Sequence, residues 1–260
     1  MRKTTYILAS LLSAINLKAQ EVKFRENIDK DSLFNFSIQK LPIEMREIYT
    51  KTFKEGNEQT KEFLLFMISM PKSSKKKLIE NFENKNTEIQ KLKTEYQKLV
   101  PENYIVYIEF EPESKILTTT EEITIKIYKL KDKNEKENEN LEVIQRNDGL
   151  KVISQNWNLK PNSEELEKIL KSIGWTNQTL SKIKKLLNEA NCASIENGKI
   201  TTIGFAGSGM GKYSYKIFDK PLNEEEKAEY NNGCEYIFYK NNIVLEYGGG
   251  AIGPQCFERE

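Results

Sequence analysis

The spacing of apolar residues changes at Pro101, and this change limits what the chain can fold into. Between residues 73 and 99 the apolar side chains recur in alternating steps of four and three, the spacing of one helix face. After residue 101 apolar and polar residues alternate in four segments rich in β-branched and aromatic residues: 104–111, 122–130, 141–145 and 150–157. The sequence therefore predicts an α+β protein, with a helical N-terminal part at about 41–100 and an antiparallel β meander at about 102–158.

The helical part is predicted to follow an extended lead-in at 21–40, where no period is sustained. Four residues of the first helix share one face: Leu41, Met45, Ile48 and Thr52. A short buried helix at 63–70 ends at Pro71, because proline has no amide hydrogen to continue a helix. The long helix at 73–99 has its pattern broken at Lys85, and we expect it to pack against the preceding helices. Its length also allows a coiled-coil dimer as the alternative.

Residues 161–260 are predicted to form an α-β-β-α-β-β module. Helices are expected from about residues 162 and 176, and a further short helix after Asn223. The strands are expected at 199–205, 213–218, 234–239 and 243–248. We therefore predict two domains, a helical hairpin with an antiparallel sheet at 20–160 and this module at 161–260.

The first 19 residues are predicted to be a signal peptide. Arg2 and Lys3 precede an uncharged run at 4–17, and Ala19 supplies the small residue of a cleavage site. The run is too short to span a membrane, so we expect an exported protein, periplasmic or extracellular, with no transmembrane segment in the mature chain. Removing residues 1–19 leaves 37 basic and 39 acidic residues, and this near balance argues against nucleic acid as a partner.

The complete absence of histidine excludes several kinds of chemistry. Ser-His-Asp and Cys-His catalysis, histidine zinc sites and histidine pH switches all require this residue. No cofactor and no metal site are predicted. Carboxylates remain as candidate acids or bases, but the chain has 39 of them, and spacing does not single out Glu109, Glu111 or Glu246.

Three cysteines lie in the last 70 residues, without a C-x-x-C motif. An odd count in an oxidising compartment suggests one disulfide and one remaining thiol. Tracing the predicted strands back and forth brings Cys234 and Cys256 to the same end of the sheet, and Cys192 to the other end. We therefore predict a Cys234–Cys256 disulfide, with Cys192 as a free, partly buried thiol.

A glycine-rich loop at 206–212, with the sequence AGSGMGK, resembles a phosphate-binding loop only superficially. Tyr213 replaces the hydroxyl that would bind a metal ion, and a strand follows where such loops need a helix N-terminus. We interpret the loop as a hairpin tip that can contact a partner. The candidate interaction residues are Gly207, Ser208, Gly209, Met210, Lys212 and Tyr213. Alternating aromatic residues such as Tyr213 and Tyr215 form either a sugar-stacking face or the core side of a sheet.

The last 85 residues resemble the C-terminal module of a group of uncharacterised exported bacterial proteins. The segments that carry the resemblance are GWTNQTLSKIKKLLNEANC, GSGMGKYSYKIFDKPL and YIFYKNNIVLEYGGGAIGPQCF. More loosely, Gly174-Trp175-Thr176, a helix, Asn191-Cys192 and a hairpin are similar to units of β-lactamase inhibitor protein and of small outer-membrane assembly lipoproteins. The resemblance covers about a third of the chain and implies no activity, and no contact residue carries over from these proteins.

These features favour an exported, non-catalytic binding or interaction protein of the cell envelope, whose partner is a protein or a glycan. The partner is expected to meet the C-terminal sheet and the loops at 206–212 and 248–254. The main alternative is a carboxylate-dependent hydrolase of envelope glycans, which would need two converging acids in a deep pocket. A third possibility is a structural or chaperone-like role for the helical hairpin.

Overall fold

A computed structural model describes residues 23–130, 150–248, 253 and 255–257. The helices are α1 (Lys30–Ile38), α2 (Ile43–Glu55), α3 (Glu58–Ser69), α4 (Lys75–Leu99), α5 (Glu164–Ser172), α6 (Asn177–Glu189) and α7 (Glu224–Glu229). The strands are β1 (Tyr104–Glu111), β2 (Glu122–Leu130), β3 (Leu150–Leu159), β4 (Ser194–Glu196), β5 (Thr201–Ser208), β6 (Gly211–Ile217), β7 (Tyr236–Lys240) and β8 (Ile243–Gly248). The predicted α+β class is confirmed, while the strand predicted at 141–145 lies outside the described residues.

All eight strands belong to one antiparallel sheet in the order β3-β2-β1-β4-β5-β6-β8-β7. The three-residue strand β4 was not predicted, and it connects the two halves of the sheet. Its central residue, Ile195, lies opposite Ile108 of β1 and Ile203 of β5. One sheet and the larger hydrophobic core therefore run across the predicted boundary at 160/161.

Helices α4, α5 and α6 cover one face of this sheet, which we call the helix face. The stripe of α4 is fully buried there and includes Leu78, Ile89 and Leu92. Lys85, where the apolar series breaks, has non-helical dihedral angles (φ −127°, ψ 17°). The expectation that α4 packs against the preceding helices is wrong, because α4 joins the sheet core whereas α1, α2 and α3 form a cluster of their own.

Buried hydrogen bonds fix α4 and α6 on the sheet. The Asn81 side-chain amide donates to the Tyr215 hydroxyl at 3.1 Å and to the Ala190 carbonyl at 3.3 Å. The Tyr215 hydroxyl in turn donates to the Leu78 carbonyl at 2.8 Å. Since each of these polar groups would be costly to bury alone, the network specifies how the helices dock on the strands.

The extended lead-in predicted for residues 21–40 is wrong over 30–38, which form helix α1. The Asp29 carboxylate caps it by accepting hydrogen bonds from the amides of Asp31 at 3.0 Å and Ser32 at 3.2 Å. In α2 the expected face is not the packed one: Ile48 is 63% exposed, and Phe53 instead stacks on Phe34 with ring centroids 4.0 Å apart. This small cluster has its own core.

The structure joins Cys234 and Cys256 in a disulfide and leaves Cys192 as a buried free thiol. The pairing agrees with the prediction, but the predicted position of Cys192 is wrong. Strand β4, which follows Cys192, runs antiparallel to β5, so Ser194 lies in the same row across the sheet as Tyr236 of β7. Cys192 and Cys234 therefore lie towards the same end of the strands. Four strand spacings, about 19 Å across the sheet, separate Cys192 from the disulfide.

Candidate functional site

No helix formed by the described residues covers the second face of the sheet over strands β3 to β6, and we call this surface the open face. Side chains alternate along a strand, so the residues that lie between the apolar residues of the helix face point to the open face. Its small side chains, among them Thr124, Ser194 and Ser214, are buried. Longer side chains therefore lie across them and form the accessible surface: Tyr107, Glu109, Lys126, Trp157 and Lys212.

A charged cluster occupies the middle of the open face. The Lys212 ammonium on β6 forms an ion pair with the Glu109 carboxylate on β1, and these side chains are only 20% and 15% exposed. Lys212 also donates to the Tyr107 hydroxyl oxygen at 2.9 Å, and that hydroxyl donates to Glu109. Three side chains from distant parts of the sequence thus hold one another in fixed positions.

The cluster depends on Gly204, which lies beneath it on β5. A Cβ atom there would be 2.1 Å from Oγ of Ser194 and 2.9 Å from Cδ of Lys212. Glycine therefore leaves the space through which the lysine stem crosses β5 to reach β1. The close approach of a side chain to the backbone explains why this residue is a glycine.

Burial and charge shift two pKa values at the cluster. The pKa of Tyr107 is raised well above its usual range, mainly because burial disfavours the phenolate and also because Glu109 is close. Glu111 lies two residues beyond Glu109 on the same side of β1. Although Glu111 as a whole is exposed, its pKa is raised, first by partial loss of hydration and then by Glu109. Tyr107 thus remains a neutral hydrogen-bond donor at ordinary pH.

An aromatic and cationic group borders the cluster towards strand β3. The Lys126 ammonium lies 5.1 Å from the Tyr107 ring centre and 5.5 Å from that of Trp157. Trp157 is 55% exposed, unusually high for so large an aromatic side chain. This arrangement presents an aromatic surface next to fixed charges.

The remaining part of this sheet face is covered from within the chain. Lys216 pairs with Glu246 at 3.2 Å, and the Lys216 ammonium lies 5.6 Å from the Tyr236 ring. Helix α7 and the residues after it pack here, with Tyr230 against Tyr236 at a ring distance of 5.4 Å. The accessible open face therefore ends near β6.

A cleft of about 310 Å³ lies elsewhere, between α6 and the ends of β1 and β5. Two phenylalanines, Phe110 and Phe205, line it together with Cys192. Its acid is Glu121, which is paired with Lys184 at 2.6 Å. The described lining of the cleft therefore lacks the two converging acids that the hydrolase alternative requires.

The predicted interaction residues at 207–213 do not form one exposed loop. Gly209 and Met210 make the turn between β5 and β6, and the Gly209 amide donates to the Pro71 carbonyl at 3.0 Å. The Ser208 hydroxyl accepts from the Ser73 amide at 3.2 Å. Tyr213 is 2% exposed on the helix face, so it cannot meet a partner in this conformation.

Of that predicted set, Lys212 alone enters the charged cluster, while Gly207 lies beside it on β5. Burial also decides between the two interpretations of the alternating aromatic residues. Tyr213 and Tyr215 are core residues and do not form a sugar-stacking face. In the second predicted loop, Gly249, Gly250, Ala251, Ile252 and Pro254 lie outside the described residues.

Sequence reasoning missed the partners of Lys212. Tyr107 and Glu109 were visible as alternate residues of a predicted strand, which assigns them to the same face. The order of the strands was not visible, and it alone brings β1 within reach of β6.

Within the described ranges, no three Cys, Asp or Glu side chains are grouped so as to hold a metal ion. Among the same residues, no helix has the length and apolar character needed to cross a bilayer.

No family model, no curated protein and no solved structure matches this chain.

Proposed function

We propose that the protein is an exported, non-catalytic binding protein that recognises a protein of the cell envelope through the open face. The observation that carries the proposal is the charged cluster of Tyr107, Glu109 and Lys212 beside the exposed Trp157. Tryptophan and tyrosine dominate the binding energy of many protein interfaces, and side chains already held in place lose little entropy on binding.

A protein partner is favoured over a glycan by the distribution of aromatic side chains. Glycan platforms stack sugars on several exposed rings, whereas Tyr213 and Tyr215 are buried and Tyr107 is half-buried. On the described part of the open face Trp157 supplies one exposed ring, which is a small platform for a sugar chain but a suitable anchor for a protein surface.

Export is supported by the predicted signal peptide at 1–19 and by the Cys234–Cys256 disulfide, since disulfides persist in oxidising compartments. The resemblance to exported bacterial proteins implies the same location. Mass spectrometry of the protein recovered from its host should find an N-terminus near Gln20 or Glu21. An intact Met1 in a cytoplasmic fraction would contradict export.

Site-specific photo-crosslinking tests the binding surface directly. A photoreactive phenylalanine analogue at Trp157 or at Thr202, both on the open face, should capture the same envelope protein. The matched control is the analogue at Ile48, an apolar and 63% exposed residue of α2 outside the sheet. Equal capture from all three positions, or from Ile48 alone, would contradict recognition by the open face. A crosslinked glycan would refute the choice of a protein partner.

A carboxylate-dependent hydrolase remains the second candidate because of one observation. Glu109 is paired with the Lys212 ammonium, whereas its neighbour Glu111 has no such pair among the described residues and a raised pKa, so the two carboxyl groups lie in the different environments that an acid and a base require. Release of reducing ends from purified envelope glycan, abolished in Glu111→Gln, would support this function. No release by the unmodified protein would exclude it for that glycan.

A further inference from the structure

The C-terminal segment 255–257 is attached to the sheet by a few identifiable contacts. The Gln255 amide donates to the Tyr247 carbonyl at 3.1 Å, and the Phe257 amide donates to the Cys234 carbonyl at 2.9 Å. Cys256 lies between these two residues, and its disulfide with Cys234 adds a covalent link to the sheet. Two backbone hydrogen bonds, the buried side chain of Phe257 and one crosslink therefore contribute to holding the segment on the sheet.

The side chain is Phe257, which is 4% exposed and covers a pair of stacked tyrosines. The rings of Tyr213 and Tyr247 lie 4.2 Å apart and nearly parallel, and Phe257 lies 5.7 Å and 6.0 Å from them. The stack continues to the β5–β6 turn, since a Cβ on Gly211 would lie 3.1 Å from the Tyr247 ring. Removing Phe257 would uncover aromatic surface next to this turn.

The crosslink is open to chemistry from solvent. Cys256 is exposed although its neighbour Phe257 is buried, and exposed disulfides are the ones most readily reduced. A reductant can therefore reach the bond at the Cys256 sulfur, while Cys234 is half-buried.

We propose that Cys234–Cys256 is a redox latch that holds Phe257 over the Tyr213–Tyr247 stack and releases it when a dithiol reductant breaks the bond. A thiolate of the reductant attacks the Cys256 sulfur and forms a mixed disulfide, and Cys234 leaves as a thiolate that takes up a proton. The second thiolate of the reductant then displaces Cys256. The protein gains two electrons and two protons, and the reductant becomes a disulfide.

Release is local because the tyrosines are held independently of the segment. Tyr213 and Tyr247 lie opposite each other in β6 and β8, which pair continuously from Lys212 to Ile217. Phe257 belongs to the same core cluster as Tyr213, but most of that cluster comes from α4, α6 and the strands, whose contacts with one another do not involve Phe257. Reduction thus changes what covers the aromatic stack and leaves the sheet folded.

Hydrogen exchange before and after dithiothreitol tests the latch on the whole protein. Reduction should raise the exchange rates of the Gln255 and Phe257 amides at least tenfold and leave those of Ile195 and Ile203 in the sheet centre unchanged. Unchanged exchange at Gln255 and Phe257 would overturn the proposal.

Native alkylation with iodoacetamide provides the second measurement. Burial raises the pKa of the Cys192 thiol to about 12, so it should stay unmodified while Cys234 and Cys256 react. Modification of all three would show global opening and would also overturn the proposal.

Two variants complete the design. The double variant Cys234→Ser/Cys256→Ser should show fast exchange at residues 255–257 without reductant. Phe257→Ala keeps the crosslink and should uncover the tyrosines in the oxidised protein, detected as increased binding of an apolar dye. If the double variant binds no more dye than the oxidised protein, Phe257 stays in place without the crosslink and the latch is refuted.

Discussion

Gly204→Ala tests whether the charged cluster of the open face depends on a bare backbone at β5. The new Cβ would lie 2.1 Å from Oγ of Ser194 and 2.9 Å from Cδ of Lys212. Both atoms must move, and Ser194 is 1% exposed, so it has little room. Displacing the lysine stem also pulls its ammonium group away from Glu109.

The cost can be estimated from these contacts. Overpacking a buried site costs about 1–3 kcal/mol. Weakening the Lys212–Glu109 pair adds about 1 kcal/mol, less than the ~3–5 kcal/mol of a fully buried pair, because both side chains retain some exposure. Alanine lowers the conformational entropy of the unfolded chain, which raises the free energy of unfolding by about 0.4–1 kcal/mol. The free energy of unfolding should therefore fall by about 2 kcal/mol.

The assay is urea unfolding followed by tryptophan fluorescence, with Gly207→Ala as the matched control. Gly207 lies on the same strand, and its added Cβ would have as its nearest neighbour the Gly211 carbonyl oxygen at 4.0 Å. The control should be neutral or stabilised by up to about 1 kcal/mol. Adding Ser194→Gly to Gly204→Ala should recover part of the loss.

Equal unfolding free energies for Gly204→Ala and Gly207→Ala would refute the reasoning, because the same substitution on the same strand is crowded at Gly204 and not at Gly207. Failure of Ser194→Gly to recover any stability would place the cost in some contact other than the one described. Either result would contradict the role assigned to Gly204, which is to leave the space that lets Lys212 reach β1.

Two further predictions concern stability. Hydrogen bonds from Lys98 and Lys182 lower the pKa of Glu95 from 4.5 to about 2; its contribution to stability is therefore complete above pH 4.5 and lost as the pH falls towards 2. Glu95→Gln should flatten the pH dependence of the urea midpoint over that interval, and an unchanged profile would contradict the assignment. The buried indole of Trp175 donates to the Leu99 carbonyl at 2.7 Å, so Trp175→Phe should lower the unfolding free energy by about 1–3 kcal/mol in the same assay. A change below 0.5 kcal/mol, roughly the size of a surface substitution, would show that water replaces the donor.

Elements with a strong period could be predicted from the sequence alone. The stripe of α4 and the alternation in β1 and β2 follow from which side chains must leave water, and this requirement acts along the chain. The irregularity at Lys85 was visible for the same reason, because a charged residue interrupts the apolar series where the helix loses its regular dihedral angles.

Elements without a periodic apolar pattern could not be predicted from local sequence, because their structure depends on contacts with the rest of the molecule. Helix α1 has apolar residues on several sides, and its signal was the Asp29 cap, which a search for periodicity does not detect. Strand β4 is three residues long, too short for a pattern, and it is a strand because β1 and β5 satisfy its backbone on both sides.

The candidate site shows the same division. Alternation assigned Tyr107 and Glu109 to one face, and the glycine-rich segment drew attention to Lys212, but 103 residues separate Glu109 from Lys212. Which strands lie side by side depends on the pairing of the whole sheet. That pairing includes β4, which no local sequence pattern predicted. Side-chain chemistry and strand faces are properties of the sequence itself. The cluster exists because tertiary pairing brings distant strands together and because Gly204 leaves room between them.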